Sequence, residues 1–259
     1  MPRVVHAQRQ RKSAFPLVAT RAAGYLAGMA HVSYELDGKT AVIQMDDGKA
    51  NALSYEMIDE LLAALTRAEA EASAIVLAGR PERFCAGFDL KIMMSGMEQA
   101  TKLLTRGSEL LLRLYGSPRP LVVACTGHAL AGGVLVVLTG DWRIGIAGGA
   151  FKIGLNEVSI GLPVPILAME LARDRLAPSE LPRATMASHI YTPDDAARAG
   201  YLDEVVPAGE LFARAKAEAA RRGALAKNAY AGTKQRLRGK TIEYIRSSMA
   251  GDMTSFTVG

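Results

Sequence analysis

Apolar and polar positions alternate from residue 32 onward: Val32-Ser33-Tyr34-Glu35-Leu36, then the pair Asp37-Gly38, then Thr40–Met45 alternating again. Two alternating runs around an Asp-Gly pair predict a β-hairpin. Beyond a loop over 48–53, Ser54 is placed to cap a helix in which Met57, Ile58, Leu61, Leu62 and Leu65 recur at helical spacing. Ala74–Ala78 reads as a buried strand that stops at Gly79-Arg80-Pro81. A helical stretch from about Leu90 to Tyr115 is ended by Pro118 and Pro120. Leu121–Cys125 is a second buried strand, followed by a glycine-rich turn and the apolar helix Val134–Leu138. Arg143–Ala147 and Ala150–Ile153 read as short strands. From Pro163 the pattern is mostly helical, broken at Pro178, Pro193 and Gly200, with a short strand near Glu204–Val206 and helices over about 208–228 and 230–248. Strands alternating with helices predict an α/β body with a helical C-terminal portion.

Composition narrows the class. Of 259 residues, 49% are hydrophobic and 22% charged, the mix of a globular protein with a real core. Two cysteines, Cys85 and Cys125, make no disulfide framework and fit a reducing compartment; with four histidines and no close pair among them, no metal site is expected. The aliphatic run Val134–Leu138 is far short of the ~20 residues of a membrane span, so no membrane partner is expected. The net charge of +5 is confined to residues 1–28, where Arg3, Arg9, Arg11, Lys12 and Arg21 occur with no acid. The remainder is balanced and offers no basic patch for nucleic acid. The chain therefore divides into a basic, disordered tail (1–28), a folded core (29–205) and a C-terminal helical region (206–259). Met29, directly before the first strand, is an alternative start. A cytoplasmic location is expected, mitochondrial only if residues 1–28 form a transit peptide.

Three segments could carry chemistry. Phe84-Cys85-Ala86-Gly87-Phe88-Asp89-Leu90 follows a strand and opens a helix that Asp89 can cap. Gly127-His128-Ala129-Leu130-Ala131-Gly132-Gly133 places backbone N–H groups at a helix N-terminus, where the dipole favours negative charge. Gly154 to Pro163 holds one carboxylate, Glu157, in a nearly uncharged stretch. Each also has a plain reading: glycine turns are common after strands, and a lone glutamate is usually solvated. His128 is expected to bond a backbone group, Asp141 and Arg143 to make structural polar contacts, and the cysteines to be small apolar fillers.

In this order the three segments resemble the crotonase (enoyl-CoA hydratase/isomerase) superfamily, supported by Lys49-Ala50-Asn51-Ala52-Leu53-Ser54 and Gly140-Asp141-Trp142-Arg143-Ile144. The resemblance covers residues 31–259. It implies a spiral of ββα units with a C-terminal helical trimerisation region, and a homotrimer or homohexamer. It gives the two oxyanion-hole N–H groups to Phe88 and Gly132, and places Lys49, Ala50, Ala52, Ala86, Asp89 and Leu90 around coenzyme A. Coenzyme A enters with the acyl-CoA thioester substrate, and no prosthetic group is implied.

Hydratases of this family use two glutamates, one in the glycine-rich helix and one in the later segment. Here the first position is Leu135, which can neither orient water nor accept a proton. The pattern is closest to the Δ3,Δ2-enoyl-CoA isomerases, in which Glu157 alone would take a proton from C2 and return it at C4. A hydratase would need Glu98 or Glu109 to reach the site, and a non-catalytic acyl-CoA binder would keep the pocket without turnover. Phe88, Met93, Met94, Ile160 and Leu162 are candidates for an apolar acyl tunnel. Leu211, Phe212, Ala215 and Ala219 repeat on a helix expected to be covered by a partner subunit.

Overall fold

The computed structural model describes residues 31–254; the basic tail, Met29 and the question of a transit peptide lie outside them. Two antiparallel strands, β1 (Val32–Asp37) and β2 (Thr40–Met45), open the fold in the register Val32↔Met45 to Asp37↔Thr40. The helix α1 (Tyr55–Glu71) follows, capped by Ser54, whose hydroxyl accepts the Met57 N–H at 3.2 Å.

Three strand–strand–helix units come next, and they explain the spiral. In each, the first strand joins one sheet and the second strand joins another. The first unit is β3 (Ala74–Ala78), β4 (Glu82–Cys85), then α2 (Leu90–Met93) and α3 (Met97–Gly116). The second is β5 (Leu121–Cys125), β6 (Gly127–Leu130) and α4 (Gly132–Thr139). The third is β7 (Trp142–Ile146), β8 (Ile153–Gly154) and α5 (Ile166–Arg175). The helices α6 (Leu181–Thr185) and α7 (Pro193–Ala199), the strand β9 (Glu204–Val206), and α8 (Leu211–Gly223) and α9 (Lys227–Thr254) complete the order. The large sheet runs β1-β2-β3-β5-β7-β9 and the small one β4-β6-β8, parallel throughout except for the opening hairpin.

The central strands β3 and β5 are buried at every residue because both faces of the sheet are covered. Ile75, Leu77, Leu121 and Val123 face the main core with α1, α3 and α4. Their alternates Ala74, Val76, Val122 and Ala124 face α8. This corrects the expectation for α8. Its Leu211, Ala215 and Ala219, with Phe212 beside them, cover this chain's own sheet and leave no apolar stripe for a partner.

Other departures have local causes. The helix expected over 90–115 is broken, because Gly96 at φ +139° interrupts the chain between α2 and α3. The strands β4 and β6 have no alternating pattern; they exist by pairing with each other, Glu82↔Gly127 and Arg83↔His128. Of the strand expected at 150–153, only Ile153 with Gly154 is paired. The last two helices span 211–223 and 227–254 rather than 208–228 and 230–248.

The structural polar contacts are as expected. The Asp141 carboxylate accepts the Leu121 N–H at 2.8 Å and pairs with Lys234 at 2.7 Å, and Arg143 pairs with Asp203 at 2.8 Å. His128 Nδ1 accepts the Lys152 N–H at 3.0 Å. Cys85 and Cys125 are buried free thiols, each pushed up to about 12 by desolvation first.

Candidate active site

The loops that leave the carboxyl ends of the parallel strands meet one another, the place where open α/β sheets bind ligands. Residues 46–53 run beside 86–89: the Ala86 N–H donates to Ala50 O at 3.1 Å, and the Leu53 N–H to Gly87 O at 2.8 Å. The Asp89 N–H returns to Leu53 O at 3.2 Å. Leu53 thus bridges Gly87 and Asp89, and the Phe88 N–H between them is directed away from Leu53, out of the ladder. Gly87 holds φ +99°, which an L side chain resists, and a Cβ there would stand 3.2 Å from Gly132 N. The two expected oxyanion donors therefore sit on loops in contact.

Gly132 is the first residue of α4, so its N–H has no intrahelical partner. The residue before it, Ala131, holds φ 47° and ψ −126°, a conformation that costs a non-glycine residue on the order of 1–3 kcal/mol. Its N–H donates to Gly154 O at 3.1 Å, tying the donor loop to the segment that leads to Glu157.

The 47–53 loop is held by two side chains. Asp47 accepts the N–H groups of Lys49 (2.7 Å), Asn51 (2.9 Å) and Ala52 (3.2 Å). Burial pushes its carboxyl up, yet these donors outweigh burial and the net direction is down. Asn51, fully buried at φ 54°, donates to Met45 O, Arg83 O and Phe84 O at 3.0–3.1 Å. Lys49 and Ala86 are exposed beside it, and Ala50 and Ala52 half-buried. Asp89 caps α2, accepting from Lys91 N at 2.8 Å and Ile92 N at 3.2 Å; Leu90 is 69% exposed.

Glu157 is only 8% exposed, and its Oε2 is buried without a hydrogen-bond partner. Desolvation pushes its carboxyl up, opposed by the backbone amides of Glu157 and Asn156. Glu98 and Glu109 are elsewhere: their side chains are 77% and 53% exposed on α3, paired with Lys102 and Arg106.

A cavity of about 40 Å³ lies beside Phe88 and is walled by Leu104, Leu111, Leu135, Leu167 and Met249. Of the five expected tunnel residues only Phe88 lines it. Met93 packs partly buried on the core and Leu162 is half-buried. Met94 (84% exposed) and Ile160 (55%) stand on the surface, one capping the end of α2 and the other closing a short 3-10 turn. Three contributors were missed in the sequence: Ala131, Asn51, and Asp252 of α9, which lines the cavity and caps α5 by accepting the Ile166 N–H at 2.8 Å. Asn51 alone had a local signal, as a residue type that tolerates positive φ.

The enoyl-CoA hydratase/isomerase family model matches residues 35–257. A mitochondrial enoyl-CoA delta isomerase of Rattus norvegicus is 29% identical over 231 residues, covering 87% of this chain and 80% of its own. A crystal structure of an enoyl-CoA hydratase/isomerase family protein from Pseudomonas syringae superposes with a TM-score of 0.84 at 39% identity, covering 87% of this chain and 97% of its own. A Mycobacterium ulcerans enoyl-CoA hydratase gives 0.83 at 36%, covering 87% and 99%. Among the described residues no helix is long and apolar enough to cross a membrane.

Proposed function

Since the chain belongs to the enoyl-CoA hydratase/isomerase family, we propose that it is a Δ3,Δ2-enoyl-CoA isomerase working through a single carboxylate. The observation that carries this is the pair Glu157 and Leu135. One is a buried carboxylate with an unpartnered oxygen; the other, 3% exposed, is an aliphatic side chain lining the cavity beside Phe88, at the position to which the family resemblance assigns a hydratase's second acid. The exposed, ion-paired Glu98 and Glu109 are poor substitutes, which weighs against the hydratase reading.

In the proposed reaction the coenzyme A moiety of an acyl-CoA lies along the 49–52 and 86–90 segments, and its thioester oxygen faces the Phe88 and Gly132 N–H groups. Glu157 removes a proton from C2, and negative charge grows on the thioester oxygen. The Phe88 and Gly132 N–H groups meet that charge without reorganising, each donor typically worth ~2.7–4 kcal/mol. Glu157 then returns the proton at C4, leaving the double bond at C2. Its desolvation suits both halves, since a carboxyl with a raised pKa gives up and regains a proton near neutral pH more evenly. The chemistry asks for a proton carrier and an oxyanion hole, with no prosthetic group.

The working form proposed is a homotrimer or homohexamer, assembled through the 206–259 region. With the α8 face turned inward, the support shifts to α9, where Leu237 and Tyr244, seven residues apart, are 67% and 52% exposed on one side. A cytoplasmic location fits, or a mitochondrial one if residues 1–28 are a transit peptide. The test of function offers 3-enoyl-CoA and 2-enoyl-CoA separately. Conversion of the first to 2-enoyl-CoA without 3-hydroxyacyl-CoA is expected; rapid hydration of the second would overturn the reading, and tight binding with neither product would leave an acyl-CoA binder.

A further inference from the structure

At the amino ends of β3 and β5, the opposite end of the sheet from the loops just described, lies a second cavity of about 210 Å³. Its wall includes Ser73, Arg119, Arg222, Lys227, Tyr230 and Glu71. Arg119 is 5% exposed, and its Nε is buried without a partner. Its other contact there is neutral, an Nη2–H donated to Glu69 O at 2.6 Å. Among the described residues neither Arg119 nor Lys227 forms an ion pair, while Glu71 is committed to Arg67 at 2.8 Å.

The charge behind the wall has the same sign. Lys234 and Arg238, 6% and 2% exposed, share the single carboxylate of Asp141 at 2.7 and 3.0 Å. The ring of Tyr230, which lines the cavity, lies 5.9 Å from the Lys234 ammonium and so connects this cluster to the cavity. Arg222 pairs with Glu218 at 2.7 Å, a carboxylate it shares with Arg214 and Arg221, so the cations on this wall outnumber the acids that face them. A buried cation without an acid, as Arg119 is, is costly, and a low-dielectric concavity focuses its field and that of the exposed Lys227 at the rim into the space they line.

The geometry points to an anion site in this cavity, taking a phosphate group through Arg119, Lys227 and the Ser73 hydroxyl. It is independent of the proposed catalysis, since the site lies across the full length of the sheet from Phe88 and Gly132 and needs no acyl-CoA.

The experiment is isothermal titration and thermal unfolding of the full chain with inorganic phosphate and, separately, glycerol phosphate, against sodium chloride at matched ionic strength. Saturable binding with a rise in Tm is expected. Saturation by both probes identifies a phosphate group as the ligand, saturation by inorganic phosphate alone a free ion, and saturation by neither overturns the proposal. Lys227→Gln, on an exposed side chain that leaves the fold intact, should weaken Kd about tenfold, the scale of one charge-assisted contact. Lys49→Gln, at the other end of the sheet, should leave Kd unchanged. If chloride reproduces the Tm rise, or if binding follows Lys49 rather than Lys227, the site is not in this cavity.

Discussion

The ring of Phe88 rests on Gly107 of α3: a Cβ at that glycine would lie 2.2 Å from Phe88 Cε1. On its other side the ring meets Gly132, where a Cβ would be 2.9 Å from Cδ2. The side chain is clamped between two glycines, and the residue's backbone N–H is fixed by the same seating. Gly107→Ala should be favourable to the helix by up to ~1 kcal/mol, yet it forces the ring out of its place. We expect a folded protein with the proposed isomerase activity reduced at least ~10-fold, read by steady-state kinetics beside circular dichroism.

Glu157 should leave a signature in stability. Its folded-state pKa is raised above that of the unfolded chain, so its protonated form is favoured by folding. The stability it contributes is full below the unfolded value of ~4.3 and is lost as pH rises through the raised folded value. Glu157→Gln should therefore raise Tm near pH 8, with the gain vanishing below about pH 4. A Tm difference independent of pH would show that the buried carboxylate is not the cause.

Glu218 shows the opposite sign. Arg221, Arg214 and Arg222 converge on it at 2.5, 3.3 and 2.7 Å, and hydrogen bonding to Arg221 leads in holding its carboxyl at about 2. Its stabilisation is present above the unfolded value of ~4.3 and is lost as pH falls toward about 2. Since the arginines are partly exposed, Glu218→Gln should cost about 1–2 kcal/mol at pH 7 and little at pH 2, measured by urea unfolding at both.

What the sequence reveals here depends on distance along the chain. The hairpin, α1 and the buried strands β3 and β5 were legible because turn residues, a serine cap and apolar periodicity are local signals. The strands β4 and β6 were not, since each is ordered by a partner some forty-five residues away, as in Glu82↔Gly127. The segments holding Phe88, Gly132 and Glu157 could be picked out from their glycines and the isolated acid. Nothing local announces that Gly107 seats Phe88, that Ala131 takes positive φ, or that α9 returns Met249 and Asp252 to the cavity wall. The inward turn of the α8 stripe was likewise invisible, because an amphipathic helix does not declare which apolar surface it covers.

Leu135→Glu would place a carboxylate on the cavity wall beside Phe88. Measurable hydration of 2-enoyl-CoA is expected, together with a lower Tm, since an acid added at a site 3% exposed must be desolvated. Product analysis by liquid chromatography checks the first, and thermal unfolding the second. Unchanged products would mean that the wall at Leu135 does not set the reaction.

The most direct measurement is the turnover of 3-enoyl-CoA by Glu157→Gln. The substitution keeps size and hydrogen bonding but removes the proton carrier. A fall in kcat of at least ~10²-fold is expected, with the acyl-CoA Kd nearly unchanged. If the variant kept most of its activity, Glu157 would not move the proton, and the single-carboxylate isomerase proposed for this chain would be contradicted.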